Sequence, residues 1–349
     1  MSTLPRTPKR IAGAALAAAG LFPVAACGDD GEPAADGTTE PAEDGGLNIV
    51  ASTAIWADLA EAVITDDSVT ISSILDDDTD DPHHYEPSAK DISEAKEADL
   101  VIVGGGGYDA WLYESLDEDT ANIVHPLPLT EHDHDHDHGD EDGHDHDHDH
   151  DHDHEDGHDH DEGADDHEGE DGHDHDHDDE EPVNEHIWYD TDALRATAQD
   201  IADQVTALDD SITVDPEAVG AQLDEFDERI AALPQITVAQ TEPVADYLVQ
   251  DSPVEDATPD QYKATTLAES EPSAAEFNEF LELINDGGID ALIFNPQTAG
   301  DQEQQLLDAA EEQDLPVIEV VEVPPAGENF FDFFASVLDS FEEAGEQAA

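Results

Sequence analysis

From Glu131 to Glu181 the chain carries no pattern that folds. His and Asp alternate through much of this stretch, which holds sixteen of the chain's twenty histidines and 28 acidic residues. With almost nothing apolar to offset the entropy of ordering, such a segment is expected to be disordered. It divides the 349 residues into two foldable stretches, and any core has to be assembled from what lies before and after it.

Charge narrows the functions. There are 94 Asp and Glu against 8 Lys and Arg, a formal net charge of −86, while apolar residues at 37% are enough for a sizeable core. Nucleic-acid binding needs clustered cations to neutralise phosphates, and an anionic membrane surface needs the same, so both are excluded. The acid excess extends well beyond the tract, and the only basic residues after Arg10 are Lys90, Lys96, Arg195, Arg229 and Lys263.

The single cysteine, Cys27, excludes an intramolecular disulfide and a thiolate metal cluster. Arg6 to Arg10 form a basic start, Ile11 to Leu21 a short apolar run, and small residues lead to Val24-Ala25-Ala26-Cys27. The run is shorter than the ~20 residues of a bilayer-spanning helix, so residues 1–26 read as a signal peptide. The segment resembles a bacterial lipobox, which implies cleavage before Cys27 and lipidation of that residue. The stretch 27–46, rich in Gly, Pro, Ala, Asp, Glu and Thr, reads as a flexible tether.

Beyond the tether, strands and helices alternate. Strands are expected at Leu47 to Ala51, Val69 to Leu75, Leu100 to Val103 and Asn122 to Val124, with helices over Ala54 to Ile64, Pro87 to Ala98 and Tyr108 to Leu116. The four glycines Gly104 to Gly107 lack the Gly-Lys-Ser/Thr ending of a phosphate loop and read as a tight strand-to-helix turn. After the tract, Asp190 or Thr191 caps a helix to about Leu208, and Pro216 opens a second to about Leu233. Strands at Ile236 to Ala239, Ile289 to Phe294 and Val317 to Val321 then alternate with helices over Ser273 to Asn285, Gly300 to Gln313 and Phe330 to Glu343; Ser273 and Glu276 form a capping box. The fold class is α/β, with two lobes built on parallel sheets. The expected organisation is an N-terminal lobe over 47–190 that carries the tract 131–181 as an insertion, a linking helical segment over 191–234, and a C-terminal lobe over 235–349.

Two histidines stand in promising settings. Asp81-Pro82-His83-His84-Tyr85-Glu86-Pro87 follows a strand, and its prolines stiffen the backbone around a potential ligand. His186, in Glu185-His186-Ile187-Trp188, has apolar neighbours that suggest partial burial. Taken singly, the first reads equally as a solvated turn residue and the second as a core histidine.

Taken together and in order, these segments resemble a family, the zinc and manganese solute-binding proteins of ABC importers (the ZnuA, TroA and PsaA type). The shared order is lipobox, Asp-Pro-His with Tyr-Glu-Pro, His-rich insertion, His-Ile-Trp, Thr241-Glu242-Pro243-Val244 and Phe294-Asn295-Pro296-Gln297. The resemblance implies two α/β lobes joined by one long linking helix, with the metal in the interlobe cleft. It implies ligands at His83 and His186, at Glu242 where the family usually has His, and at Asn295 where it usually has a carboxylate. Asn295 can ligate through its carbonyl oxygen, hydrogen-bond a ligand instead, or leave room for a water, and His84 is an alternative ligand. Two imidazoles with oxygen donors suit zinc and, more than an imidazole-rich site does, manganese. The resemblance also implies that the tract gathers zinc at the cleft entrance: its imidazoles are largely unprotonated at neutral pH, and interleaved carboxylates concentrate cations. Its imidazole density favours Zn2+, with Mn2+ as the alternative.

The expected function is therefore an extracytoplasmic, lipid-anchored, monomeric binding protein that captures zinc and delivers it to an ABC permease. A zinc hydrolase is disfavoured, since no HExxH motif is present. A surface metal buffer or adhesin without a transporter stays open. The charge imbalance carries its own prediction: the melting temperature rises between about 0.1 and 1 M NaCl, as the Debye length shrinks from roughly 10 to 3 Å. The same excess of acid reads as a protein that works in a salty environment, and a melting temperature indifferent to salt would remove that reading.

Overall fold

The computed structural model describes residues 46–76, 82–116, 122–130 and 183–348. The expected signal peptide, Cys27 with its tether, and the His/Asp tract lie outside the described residues. No helix among the described residues is long and apolar enough to cross a membrane.

The first sheet is built from β1 (Asn48–Thr53), β2 (Thr70–Leu75), β3 (Leu100–Ile102) and β4 (Asn122–Val124), all parallel, in the order β2-β1-β3-β4. Its crossovers carry α1 (Ala54–Val63), α2 (Ala89–Glu97) and the short α3 (Ala110–Tyr113). The central strands are buried runs, as parallel strands covered on both faces must be. Ser88 and Asp91 close α2's N-terminus with a reciprocal capping box.

Two helices follow, where the sequence places them, and the second carries the chain into the next lobe. α4 (Thr191–Leu208) is capped by the Asp190 carboxylate, and α5 (Pro216–Ala231) starts on a first-turn proline with Asp215 as its cap. At 16 residues α5 spans roughly 24 Å by its rise of about 1.5 Å per residue, and it feeds directly into the second lobe. The break between the helices lies at Asp209 to Asp215, where the Asp209 carboxylate accepts from the backbone and side chain of Ser211, turn chemistry that competes with helix.

The second sheet repeats the first. Its strands β5 (Thr237–Gln240), β6 (Glu255–Asp256), β7 (Ala291–Phe294) and β8 (Val317–Glu319) are parallel, in the order β6-β5-β7-β8. Helices α6 (Asp246–Gln250), α7 (Asp260–Leu267), α8 (Ala274–Asn285), α9 (Asp301–Glu312) and α10 (Phe330–Ala348) complete the lobe. In both sheets the second strand turns outward and the third inward, so strand order reverses between β1 and β3 and again between β5 and β7. Ligands of open parallel sheets gather at such reversals, beyond the carboxyl ends of the strands.

One continuous apolar core runs from the first sheet through α1, α4, α5 and α10 to the inner face of the second sheet. The last helix joins the lobes directly. Its backbone N–H at Phe330 donates to the Asp58 carboxylate of α1 at 2.6 Å, and Phe330, Phe331 and Phe334 pack into the shared core. The ring of Phe334 meets Tyr189 edge-on at 5.0 Å and Phe226 at 4.6 Å. Replacing it by Ala leaves an aromatic-sized cavity at the lobe junction, and we expect a loss of about 3–5 kcal/mol in urea unfolding at fixed salt. A loss below about 1 kcal/mol, less than Ile→Val commonly costs, would mean that the junction collapses around the cavity.

Candidate metal centre

Most polar residues of the cleft sit on loops just past the carboxyl ends of strands, and His186 comes from the segment that leads into α4. His83 lies in the Pro82–His84 turn after β2, and Glu242 follows β5 by two residues. Glu322 follows β8 by three, and His186 opens the short 3-10 turn Ile187–Tyr189 that leads into α4. The strand ends thus deliver groups from both lobes to one place.

The glycine turn after β3 builds one wall. Gly105, Gly106 and Gly107 have φ of 75°, 72° and 113°, the left-handed region that side chains avoid. A Cβ on Gly105 would also lie 2.2 Å from the Leu127 carbonyl oxygen. Asp109, fully buried, ties this turn down: its carboxylate accepts from Ser52 Oγ at 2.6 Å and from the backbone N–H groups of Gly104 and Gly105 at 2.6 and 3.0 Å. Burial pushes its pKa up to about 6 despite those donors. The turn sets Tyr108 edge-on against the His83 ring (5.3 Å) and tilted against Trp188 (4.9 Å), and Trp188 in turn meets His186 at 5.3 Å.

Inside this wall four donor atoms converge. His83 Nε2 lies 3.1 Å from Glu322 Oε2 and 3.3 Å from Glu242 Oε1. His186 Nε2 lies 3.7 Å from Glu242 Oε1 and 4.0 Å from Glu322 Oε2. One ligand atom from each of the four residues falls within 4.8 Å of every other, two nitrogens and two oxygens, a set that zinc accepts readily. Glu322 is completely buried, as metal-binding or paired carboxylates are and solvated ones are not.

Each ring has an acceptor behind it. Asn184 Oδ1 accepts from the backbone N–H of His186 (3.0 Å) and lies 2.8 Å from His186 Nδ1, while Asn184 Nδ2 donates to the Pro243 carbonyl oxygen (2.8 Å). His83 Nδ1 lies 3.0 Å from Glu185 Oε1.

Of the four residues expected to be ligands, the structure brings His83, His186 and Glu242 into the cluster and sets Asn295 beneath it in another role. Asn295 Nδ2 donates to Glu242 Oε2 (2.7 Å), Glu322 Oε1 (2.8 Å) and Thr298 Oγ1 (2.9 Å), while its oxygen accepts the N–H of Gln297 (3.0 Å). Three acceptors around the nitrogen and one donor at the oxygen fix the amide's orientation, so its oxygen is turned from the ring nitrogens. Thr298 Oγ1 also donates to Glu242. Gln297 Oε1 accepts from the backbone N–H groups of Glu322 (3.1 Å) and Val323 (3.2 Å). The Asn295-Pro296-Gln297-Thr298 loop thus aims two carboxylates. Glu322 was missed in the sequence; the signal was there, a lone acid in the apolar run Val320-Val321-Glu322-Val323 after a strand. His84 lines a cavity of about 430 Å3 that opens beside His83 and Glu242 toward Glu269, Glu271, Asp301 and Glu303. A second cavity, of about 380 Å3, is lined by Glu185 and Glu269 and also by Thr130 and Val183, which border residues 131–182.

Burial alone would lower the pKa of His83, but Glu322, Glu185 and Glu242 outweigh it and hold the imidazole well above its ordinary 6.5. Burial alone would raise Glu242, and His83, His186 and Thr298 instead hold it below its ordinary value. The sign follows. His83's raised pKa stabilises the metal-free fold fully below about pH 6.5, its ordinary value, and that contribution fades as pH rises through the folded value. Cation binding, which needs the neutral ring, strengthens over the same interval. We expect zinc affinity to climb with pH through neutrality and about one proton to be released per ion, read by calorimetry in buffers of different ionisation enthalpy. No release at neutral pH would show His83 already neutral.

The model of the family "Zinc-uptake complex component A periplasmic" (ZnuA) matches residues 49–344. Among solved structures, "Crystal structure of ZnuA" is similar with a TM-score of 0.56 at 14% identity, covering 87% of this chain and 100% of that one. The "periplasmic zinc binding protein TroA" of Treponema pallidum has a TM-score of 0.59 at 14% identity, over 86% and 99% of the two chains. FpvC of Pseudomonas aeruginosa, solved in complex with Mn2+, has 0.57 at 14% over 87% and 99%. No curated protein matches the chain. At such identities the structures speak for the fold, whereas the family model covers most of the sequence: the chain belongs to the ZnuA family of periplasmic metal-binding solute-binding proteins.

Proposed function

We propose that this protein captures a divalent transition metal in the interlobe cleft, zinc first and manganese second, and hands it to the permease of an ABC importer. His83, His186, Glu242 and Glu322 are the ligands in this reading, and Asn295 orients the two carboxylates. The observation that carries it is the convergence of two imidazole Nε2 atoms and two carboxylate oxygens, drawn from loops of both lobes, at one buried point. A cation there neutralises both carboxylates and bridges the lobes, so the loaded form differs from the empty one in a way a permease can read. Two oxygens beside two nitrogens suit zinc and tolerate manganese, and the family's name and the Mn2+ complex of FpvC bracket the same two metals. The imidazoles of the tract weigh toward zinc. Thr130 and Val183 line one cavity with Glu185, so the tract is tethered at both ends beside the centre, where weak sites act at high effective concentration. Cys27, lipidated after cleavage, holds the protein at the outer face of the membrane. The family is one of metal-binding transport components and not of enzymes.

Competition titration with zinc and manganese tests the reading, on the chain from Cys27 onward, with and without residues 131–181. One tight zinc site survives removal of the tract, and His83→Ala or Glu322→Ala abolishes it. Asn295→Ala weakens it by about tenfold, the lower range for a group that supports a ligand. If Asn295→Ala abolished binding while Glu322→Ala spared it, the ligand assignment would be reversed. With no tight site in the tract-free chain, the tract is the metal-binding element and the cleft reading falls.

A further inference from the structure

We infer that Glu185 is a positioning residue of the metal centre: its carboxylate accepts a hydrogen bond from the Nδ1–H of His83 and so presents Nε2 to the metal. The inference rests on the cleft reading above and goes beyond it to a residue outside the ligand set. His83 stands in a three-residue turn, so the adjoining backbone gives its ring little help in choosing a direction. Its two nitrogens face different groups: Nε2 looks at Glu242 and Glu322, and Nδ1 lies 3.0 Å from Glu185 Oε1. Glu185 does not fall in the four-residue cluster; it groups instead with His83 and Glu269 on the far side of the ring. Its side chain is buried, and a buried carboxylate has to be matched by a donor.

The pairing is asymmetric within one tripeptide. Asn184 backs His186 with a neutral amide oxygen, and Glu185 backs His83 with a carboxylate. An anionic acceptor raises the basicity of the opposite ring nitrogen and locks the tautomer more firmly than an amide does. His83 is thereby the stronger of the two nitrogen donors. Glu185 packs beside the glycine turn, where the φ of 72° at Gly106 disfavours any side chain.

The test uses the chain from Cys27 onward with 15N-labelled histidine, Glu185→Gln and Glu185→Ala, and zinc at one equivalent under a competitor that strips weaker sites. In the parent, His83 coordinates through Nε2, and its Nδ1 proton resonates downfield of that of His186 because its acceptor is charged. Glu185→Gln keeps an acceptor: the Nδ1 proton stays but moves upfield, and zinc binding weakens by no more than about tenfold. Glu185→Ala removes the acceptor and weakens binding by about 10–100-fold, beyond the loss in Glu185→Gln. A purely structural role lowers the melting temperature without moving the Nδ1 resonance, and that result overturns the inference. Coordination of His83 through Nδ1, or equal losses in both variants, also overturns it, by making Glu185 a ligand or a bare charge. Unchanged affinity in Glu185→Ala removes this inference alone, whereas a parent without a tight site removes the metal centre and this inference together.

Discussion

Three carboxylates, the buried Glu185 and Glu322 and the partly buried Glu242, share two imidazoles at the junction of the lobes, and the cleft depends on that exchange. A carboxylate taken out of water alone costs several kcal/mol, and here the His83 imidazole faces all three, the Asn295 amide donates to Glu242 and Glu322, and the Thr298 hydroxyl donates to Glu242. His83 is the pivot, since it alone touches all three acids. In the empty cleft its proton supplies the positive charge. In the proposed loaded form the cation supplies it, and the proton leaves. The same few atoms thus account for burial in one state and capture in the other.

Away from the cleft, scarce cations do structural work. Arg195 of α4 reaches Asp227 and the Gly220 carbonyl oxygen on α5. Arg229 of α5 holds Asp339 and Glu342 of α10, and Lys263 of α7 joins Asp246 to Asp256 beside β5. In each case two elements that both carry excess acid are joined by one base. Exposed pairs contribute little singly, but these three sit at seams where neighbouring carboxylates would otherwise repel.

Much of the architecture was legible because its signals are local. Asp190, Pro216 and Ser273 with Glu276 mark helix starts by hydrogen-bond chemistry that a sequence displays directly. The apolar runs at Val101 and Leu292 announce parallel strands. By contrast, β6 has two residues and survives through pairing with β5, and α7 has no clear apolar face. Neither shows a period to read. At the centre, His83, His186 and Glu242 stood out through their motifs. Asn295 stood out too, yet its motif serves to aim other groups. Glu322 was hidden among 94 acids: its apolar flanks marked it for burial, but the imidazoles it faces, His83 and His186, come from far along the chain and stand in no local window.

The seating of α10 bears on how the cleft can move. The chain crosses between lobes through α5, and α10 crosses back without a covalent link, resting on β8 and α1 and anchored by Asp58. A body held by two struts has fewer freedoms than one hung on a single thread. Swivelling about α5 would drag the phenylalanine row of α10 across α1, whereas a rocking motion that keeps this spine intact leaves only the loops at the strand ends free to part. For the proposed capture and release this favours one direction of opening, and the nineteen residues of α10 are as much a part of the frame as the loops are of the mouth.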